Sequence, residues 1–232
     1  VADNLPKDDM PIYRKLWDHI GKEMPKKGTK KSDDLDPLKL PTKLLTALDA
    51  LYNHYVLIHE EWRRAGILVP PVFIVVCNNT STSKLIYEYI SGWDRPNPDG
   101  ELVNVHRGHL ELFRNYDEHG NRIARAPTLL IDSAQLESGE ALDADFRKMA
   151  ATEIEQFRRE RQERTGRVED VENIDDAELL REVMNTVGRV GRLGESIRCV
   201  VSVSMLTEGW DANTVTHILG VRAFGTQLLC EQ

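Results

Sequence analysis

A chain of 232 residues, 41% of them hydrophobic, is long enough for one large domain or two small ones and apolar enough to build a core. Its formal net charge of −8 excludes a surface that attracts nucleic acid everywhere. No apolar run reaches the roughly 18 residues a membrane span needs, because Pro70 and Pro71 interrupt the longest one, Ile67 to Cys77.

The opening VADNLPKDDM is polar and acidic, unlike a signal peptide. Cys77, Cys199 and Cys230 lie in apolar segments without CxxC spacing, which points to reduced thiols in a cytoplasmic protein. Residues 1–41 mix prolines, lysines and aspartates and read as an arm or linker in which Ile12, Leu16, Trp17 and Ile20 mark one short helix. The lysines at 26, 27, 30 and 31 fit a solvated loop, with phosphate contact as the alternative. From Thr42 to Ala65, Leu45, Leu48, Tyr52, Tyr55, Ile58 and Trp62 recur at helical spacing, with Thr42 as N-cap and Gly66 as the stop.

Val72 to Cys77 is apolar at every position, the pattern of a parallel strand covered on both faces. The polar turn Asn78-Asn79-Thr80-Ser81-Thr82-Ser83 follows and opens an amphipathic helix through Leu85, Ile86, Tyr89 and Ile90. Free N–H groups, the positive end of a helix dipole and hydroxyls in one turn suit a phosphate; plain helix capping is the bland reading. Residues 92–126 are turn-rich, and the EHGN sequence within 115–122 suggests an inserted hairpin. His106-x-x-His109 lacks a third ligand at a usual spacing, so a metal site is not inferred.

Leu129 to Ile131 forms another short strand. Leu142, Phe146, Met149, Ile154 and Phe157 then mark a helix that runs into the charged RRERQERTG, and Ala177, Leu180, Val183 and Val187 mark a second. Much of the chain's acidity sits here, with 13 Asp or Glu against 8 Lys or Arg between residues 141 and 182. The GxxGxxG run at 188–194 follows a helix and precedes a strand, the reverse of a dinucleotide-binding fingerprint, and reads as a helix end and turn.

Ile197 to Val203 is a β-branched strand that stops at Ser204, and Ser204-Met205-Leu206-Thr207-Glu208-Gly209-Trp210-Asp211 places hydroxyls, acids and a glycine where a parallel sheet presents its carboxyl edge. A further strand, Thr216 to Val221, follows Asn213. Taken from the residues alone, Asp211 is either a ligand-facing acid or a helix cap.

The run TEGWDANTVTHILGV after a strand closely resembles motif V of superfamily 2 helicases, and the nearest likeness is to the Res subunit of type III restriction enzymes. The turn at 78–83 resembles motif IV, and LLIDSAQLESG resembles the same family without an evident chemical role. The resemblance implies an α/β fold, a RecA-like three-layer sandwich with a mainly parallel central sheet, formed by residues 42–232 and carrying an N-terminal helical arm and an inserted hairpin. It implies nucleic-acid contacts from Asn78, Asn79, Thr80, Ser204 and Thr207, and an ATP-cleft role for Gly209, Asp211 and Gln232, the last being the first residue of motif VI. The chain then reads as the second motor lobe of a larger DNA translocase, cut at the start of motif VI.

No G-x-x-x-x-G-K-[ST] loop and no strand-end acid pair for Mg²⁺ occur in the sequence. In such motors they belong to the first RecA-like lobe, so ATP and Mg²⁺ are cofactors of the intact protein and not of this lobe alone. The implied partners are DNA, the upstream lobe and a modification (methyltransferase) subunit, with no membrane. The alternative is a non-catalytic α/β module that binds a nucleotide or a protein partner. A phosphate-loop lobe encoded upstream discriminates the two.

Overall fold

The computed structural model describes residues 16–25, 36–131, 150–165, 176–203 and 213–223. Its centre is strand β1, Val72–Cys77, whose six residues are all buried. The sheet order is β4 (Thr128–Ile131), β5 (Cys199–Ser202), β1, β6 (Val215–Val221), and every neighbouring pair is parallel. Phe73 stands opposite Cys199 on one side and His217 on the other. The four strands are those the apolar runs mark out.

Alternation along the strands sorts their side chains onto two faces. Phe73, Val75 and Cys77, with Val201 and Leu219, pack beneath helices α1 (Leu16–Ile20), α2 (Thr42–Arg64) and α3 (Thr80–Ser91). Val72, Ile74 and Val76, with Leu129, Ile131 and Val200, pack against α4 (Ala151–Thr165) and α5 (Asp176–Asn185). The result is a three-layer α/β sandwich with a parallel central sheet, the architecture expected of a RecA-like lobe.

Leu16, Ile20, Met24 and Leu40 are buried in the first of these clusters, so the described parts of residues 1–41 help to close one face of the core. Thr42 is not the cap of α2: Pro41 takes that position without a side-chain bond, and Thr42 is the first helical residue. Proline has no N–H to leave unpaired, which suits it to this site. Gly66 follows the helix with φ +74°, in the left-handed region where glycine is favoured.

The connections obey one hand. The path from β1 to β4 moves to one side and includes α3 on the first face, whereas the path from β4 back to β5 moves the other way and includes α4 and α5 on the second. Reversing both direction and face preserves handedness, as right-handed crossovers require.

The inserted hairpin lies earlier than the EHGN turn. Strands β2 (Trp93–Pro96) and β3 (Leu102–His106) pair antiparallel around the Asn97–Glu101 turn. The EHGN turn closes through a single bridge, Tyr116 to Arg122, because the Asp117 carboxylate takes N–H donors from His119 and Asn121 and folds the loop on itself. The hairpin is held to α3 by a bidentate pair between Arg95 and the buried Glu88, at 3.2 and 3.0 Å. Four near-parallel rings stack beside it in the order Tyr89, His109, His106, Trp93, with centroid spacings of 4.1, 4.3 and 4.8 Å.

Buried Asn115 ties this insertion to the sheet. Its amide nitrogen donates to the Thr128 carbonyl and the Tyr87 hydroxyl, both at 2.9 Å, and its oxygen accepts from the Thr128 N–H at 3.1 Å. Replacing Asn115 by alanine strands a buried N–H and a carbonyl at the start of β4. The expected loss is about 3 kcal/mol, measured as a lowered urea midpoint with an unchanged m-value.

Candidate functional site

Because all four strands run parallel, their carboxyl ends share one rim. At that rim β1 leads on to β4 on one side, and adjacent β5 leads on to β6 on the other. Neighbouring strands whose chains leave in opposite directions form a topological switch point, where open α/β sheets bind ligands. The crevice is flanked by Asn78–Thr80 after β1 and by Ser202–Val203 at the end of β5, where the Val203 N–H donates to the Ile131 carbonyl at 3.3 Å.

Within the first turn, Asn79 is the N-cap of α3. Its backbone is extended, and its side-chain oxygen accepts from the Thr82 N–H at 2.9 Å. Its carbonyl takes the Ser83 N–H at 3.0 Å, and its amide nitrogen donates to the Pro25 carbonyl at 2.9 Å. Asn79 is buried and bonds through its amide nitrogen, amide oxygen and carbonyl, so it shapes the turn while bracing it against the segment after α1. The N–H groups of Thr80 and Ser81 stand ahead of the first intrahelical bonds, and Thr80 is exposed at the rim.

Two polar atoms of this turn have no hydrogen-bond partner although they are buried: Asn78 Oδ1 and Thr82 Oγ1. Unpaired buried groups are uncommon in native proteins and call for a reason. Neither atom is open to solvent, so the groups this turn presents at the rim are the Thr80 hydroxyl and the N–H groups of Thr80 and Ser81. Thr82 was not among the residues singled out by sequence. The three-residue spacing from Asn79, where a cap places its acceptor, is the signal that points to it.

Of the other candidates, Ser204, Thr207, Gly209, Asp211 and Gln232 lie outside the described residues, as do the lysines at 26–31. Thus the structure brings Asn78, Asn79 and Thr80 together next to the end of β5, the strand that precedes Ser204.

His106 and His109 meet face to face in the ring stack, His106 Nδ1 accepts from the Gly108 N–H at 2.9 Å, and no group of three His, Cys, Asp or Glu among the described residues is placed to hold a metal. His106 titrates below its usual range, chiefly through burial and then through the nearby charges of His109, Arg114 and Arg107. On β6, buried His217 lies parallel to the Phe73 ring and shares hydrogen bonds of 2.8 Å with His54 and with the Thr216 hydroxyl. Burial, and secondarily His54, push its pKa down to about 4. Cys77 and Cys199 are buried free thiols raised far above their usual range by desolvation, which removes them as nucleophiles. No helix among the described residues is long and apolar enough to cross a membrane.

No family model matches the chain, and neither a curated protein nor a solved structure matches it.

Two outcomes follow from this geometry. Asn79→Ala removes the α3 cap and the brace to Pro25, so thermal unfolding should show a loss of about 2 kcal/mol, with Thr80→Val far milder. For His217, the folded pKa lies below the unfolded value, so the unfolded chain takes up a proton that the native one refuses. Stability is full above the ordinary histidine pKa of 6.5 and declines as pH falls towards about 4. Urea midpoints measured from pH 7 to 5 should fall in the native chain and change less in His217→Gln.

Proposed function

We propose that this chain is the second motor lobe of an ATP-dependent DNA translocase or helicase of superfamily 2, of the type III restriction Res kind, acting in the cytoplasm. The observation that supports this reading is the parallel, side-by-side placement of β1 and β5. It ends the strand before the motif IV-like turn at 78–80 and the strand before the motif V-like stretch at one rim. A strand of DNA crossing that rim meets backbone N–H groups and the Thr80 hydroxyl from one turn and Ser204 and Thr207 from the other, with Asn78 and Asn79 setting the shape of the first. Contacts of this type position a phosphate backbone without reading its sequence.

Gly209 permits close approach of the chain to the nucleotide, Asp211 accepts from a ribose hydroxyl or fixes the interface between lobes, and Gln232 opens the segment that completes the ATP cleft. The phosphate loop and the Mg²⁺ acids come from a first RecA-like lobe of the same protein, and closure of the two lobes on ATP drives movement. A methyltransferase subunit is the partner this class implies.

The experiment compares the chain alone with the intact protein. Alone, it should turn over no ATP with or without DNA, and should bind DNA weakly, without sequence preference and less as salt rises. In the intact protein, Thr80→Val should raise the DNA concentration for half-maximal ATPase by roughly tenfold, whereas Asp211→Ala should lower turnover even at saturating DNA. ATPase in the chain alone that Asp211→Ala abolishes, or tight binding to one defined sequence, would overturn the proposal.

A further inference from the structure

The opposite rim of the sheet carries a second feature. Pro71, Pro127 and Arg198 immediately precede β1, β4 and β5, and around them the amino edge opens into two hollows of about 510 and 450 Å³. Arg125, Ser196 and Arg198 line both, so the hollows adjoin along one edge as the two halves of a groove. Volumes of this size accept a small organic ligand.

The two halves differ in chemistry. The first gathers Arg107, Arg114, Arg125 and Arg198 in a chain whose net charge is −8. Arg125 is paired with Glu153. The other three are half-buried and meet only backbone carbonyls among the described residues: Asp117 at 3.4 Å for Arg107, Gly108 at 2.8 Å for Arg114 and Leu112 at 3.2 Å for Arg198. A guanidinium has five N–H donors, so most of each remains unspent, and a part-desolvated cation without an anion is unfavourable. Three carboxylates share this half without neutralising it. Asp117 is occupied by its own loop, through the N–H groups of His119 and Asn121 and the Asn121 side chain, and Glu111 and Glu118 are exposed. The second half carries an apolar wall, Trp62, Pro70 and Pro71 beside Ile67 and Leu68, which are 43% and 75% exposed, together with His59, Arg63 and Glu195, whose carboxylate accepts from the Gly191 N–H at 2.8 Å.

We propose that this amino-edge groove binds a nucleotide unit, its phosphate held by Arg107, Arg114 and Arg198 and its base laid against Trp62 and the adjoining apolar rim. Planar guanidinium groups match phosphate oxygens two at a time, and an aromatic and proline surface suits a flat base. The unit comes either from a free nucleotide or from a nucleic-acid strand. Both share this chemistry, and neither depends on the carboxyl-edge reading above.

The test titrates the whole chain at low salt with pyrophosphate, with ADP and with a short single-stranded DNA. Binding is read by calorimetry and by the proton NMR titration of His59, which lines the second half and is held below its usual range by burial and by the nearby Arg198 and Arg63 charges. A bound phosphate offsets the arginine charge, so the His59 midpoint should move upward. Arg107→Gln with Arg198→Gln should weaken binding by about tenfold or more and abolish that movement, whereas Lys43→Gln, which removes an exposed charge at the far end of α2, should change neither. Where the double variant does not fold, Arg107→Gln alone serves, since it gives up a single long bond to a carbonyl, and Arg107→Lys should restore part of the affinity. Comparable affinity for ADP and DNA assigns the site to the free nucleotide, and much tighter DNA binding assigns it to a strand. Unchanged affinity in the arginine variants or no binding of any of the three probes would overturn the proposal.

Discussion

The constraint on which everything else depends is that β1 has no solvent-facing side. It is bordered by β5 and β6 along both backbone edges and covered by helices on both faces, so each of its six residues must be apolar and each backbone group must be satisfied by a parallel neighbour. A strand so enclosed can expose chemistry only where it ends. That is why the polar residues of this region are compressed into the turn immediately after Cys77, and why Asn79 is used to fix the turn's shape before anything is presented to solvent.

The same enclosure separates two kinds of ground on the molecule. At the carboxyl rim the available groups are N–H donors and a hydroxyl, a set that holds a backbone gently and leaves no strong charge. At the amino rim the available groups are three guanidinium ions whose own bonds go to backbone carbonyls. The sheet is only one strand-length deep between them, but its apolar interior keeps the two rims from sharing a ligand.

Much of the fold was legible in the sequence because its signals are local. Continuous apolar runs mark the four strands, and the period of Leu48, Tyr52, Tyr55 and Trp62 marks α2. What failed to show was non-local or depended on competition between equals. Six consecutive Asn, Thr and Ser residues give no ranking among themselves, and only the geometry reveals that Asn79 is consumed as a cap while Thr80 is left outside. Residues 16–25 look polar enough for a linker, yet Leu16, Ile20 and Met24 find the sheet face from a distance. Arg107, Arg114 and Arg198 share no period or motif, and they converge only because the insertion after α3 and the approach to β5 end at the same rim.

The ring stack of Tyr89, His109, His106 and Trp93 has a bearing on how the molecule can diverge. It anchors the hairpin by the faces of its base residues and by Arg95 on Glu88, without drawing on any hydrogen bond of the main sheet. The tip at 98–101 is exposed and lies outside that anchor. Residues added at the tip therefore lengthen a lever without loosening its fulcrum, so this is where a relative can acquire a longer arm, or an engineer can graft a foreign loop, while the core stays as it is.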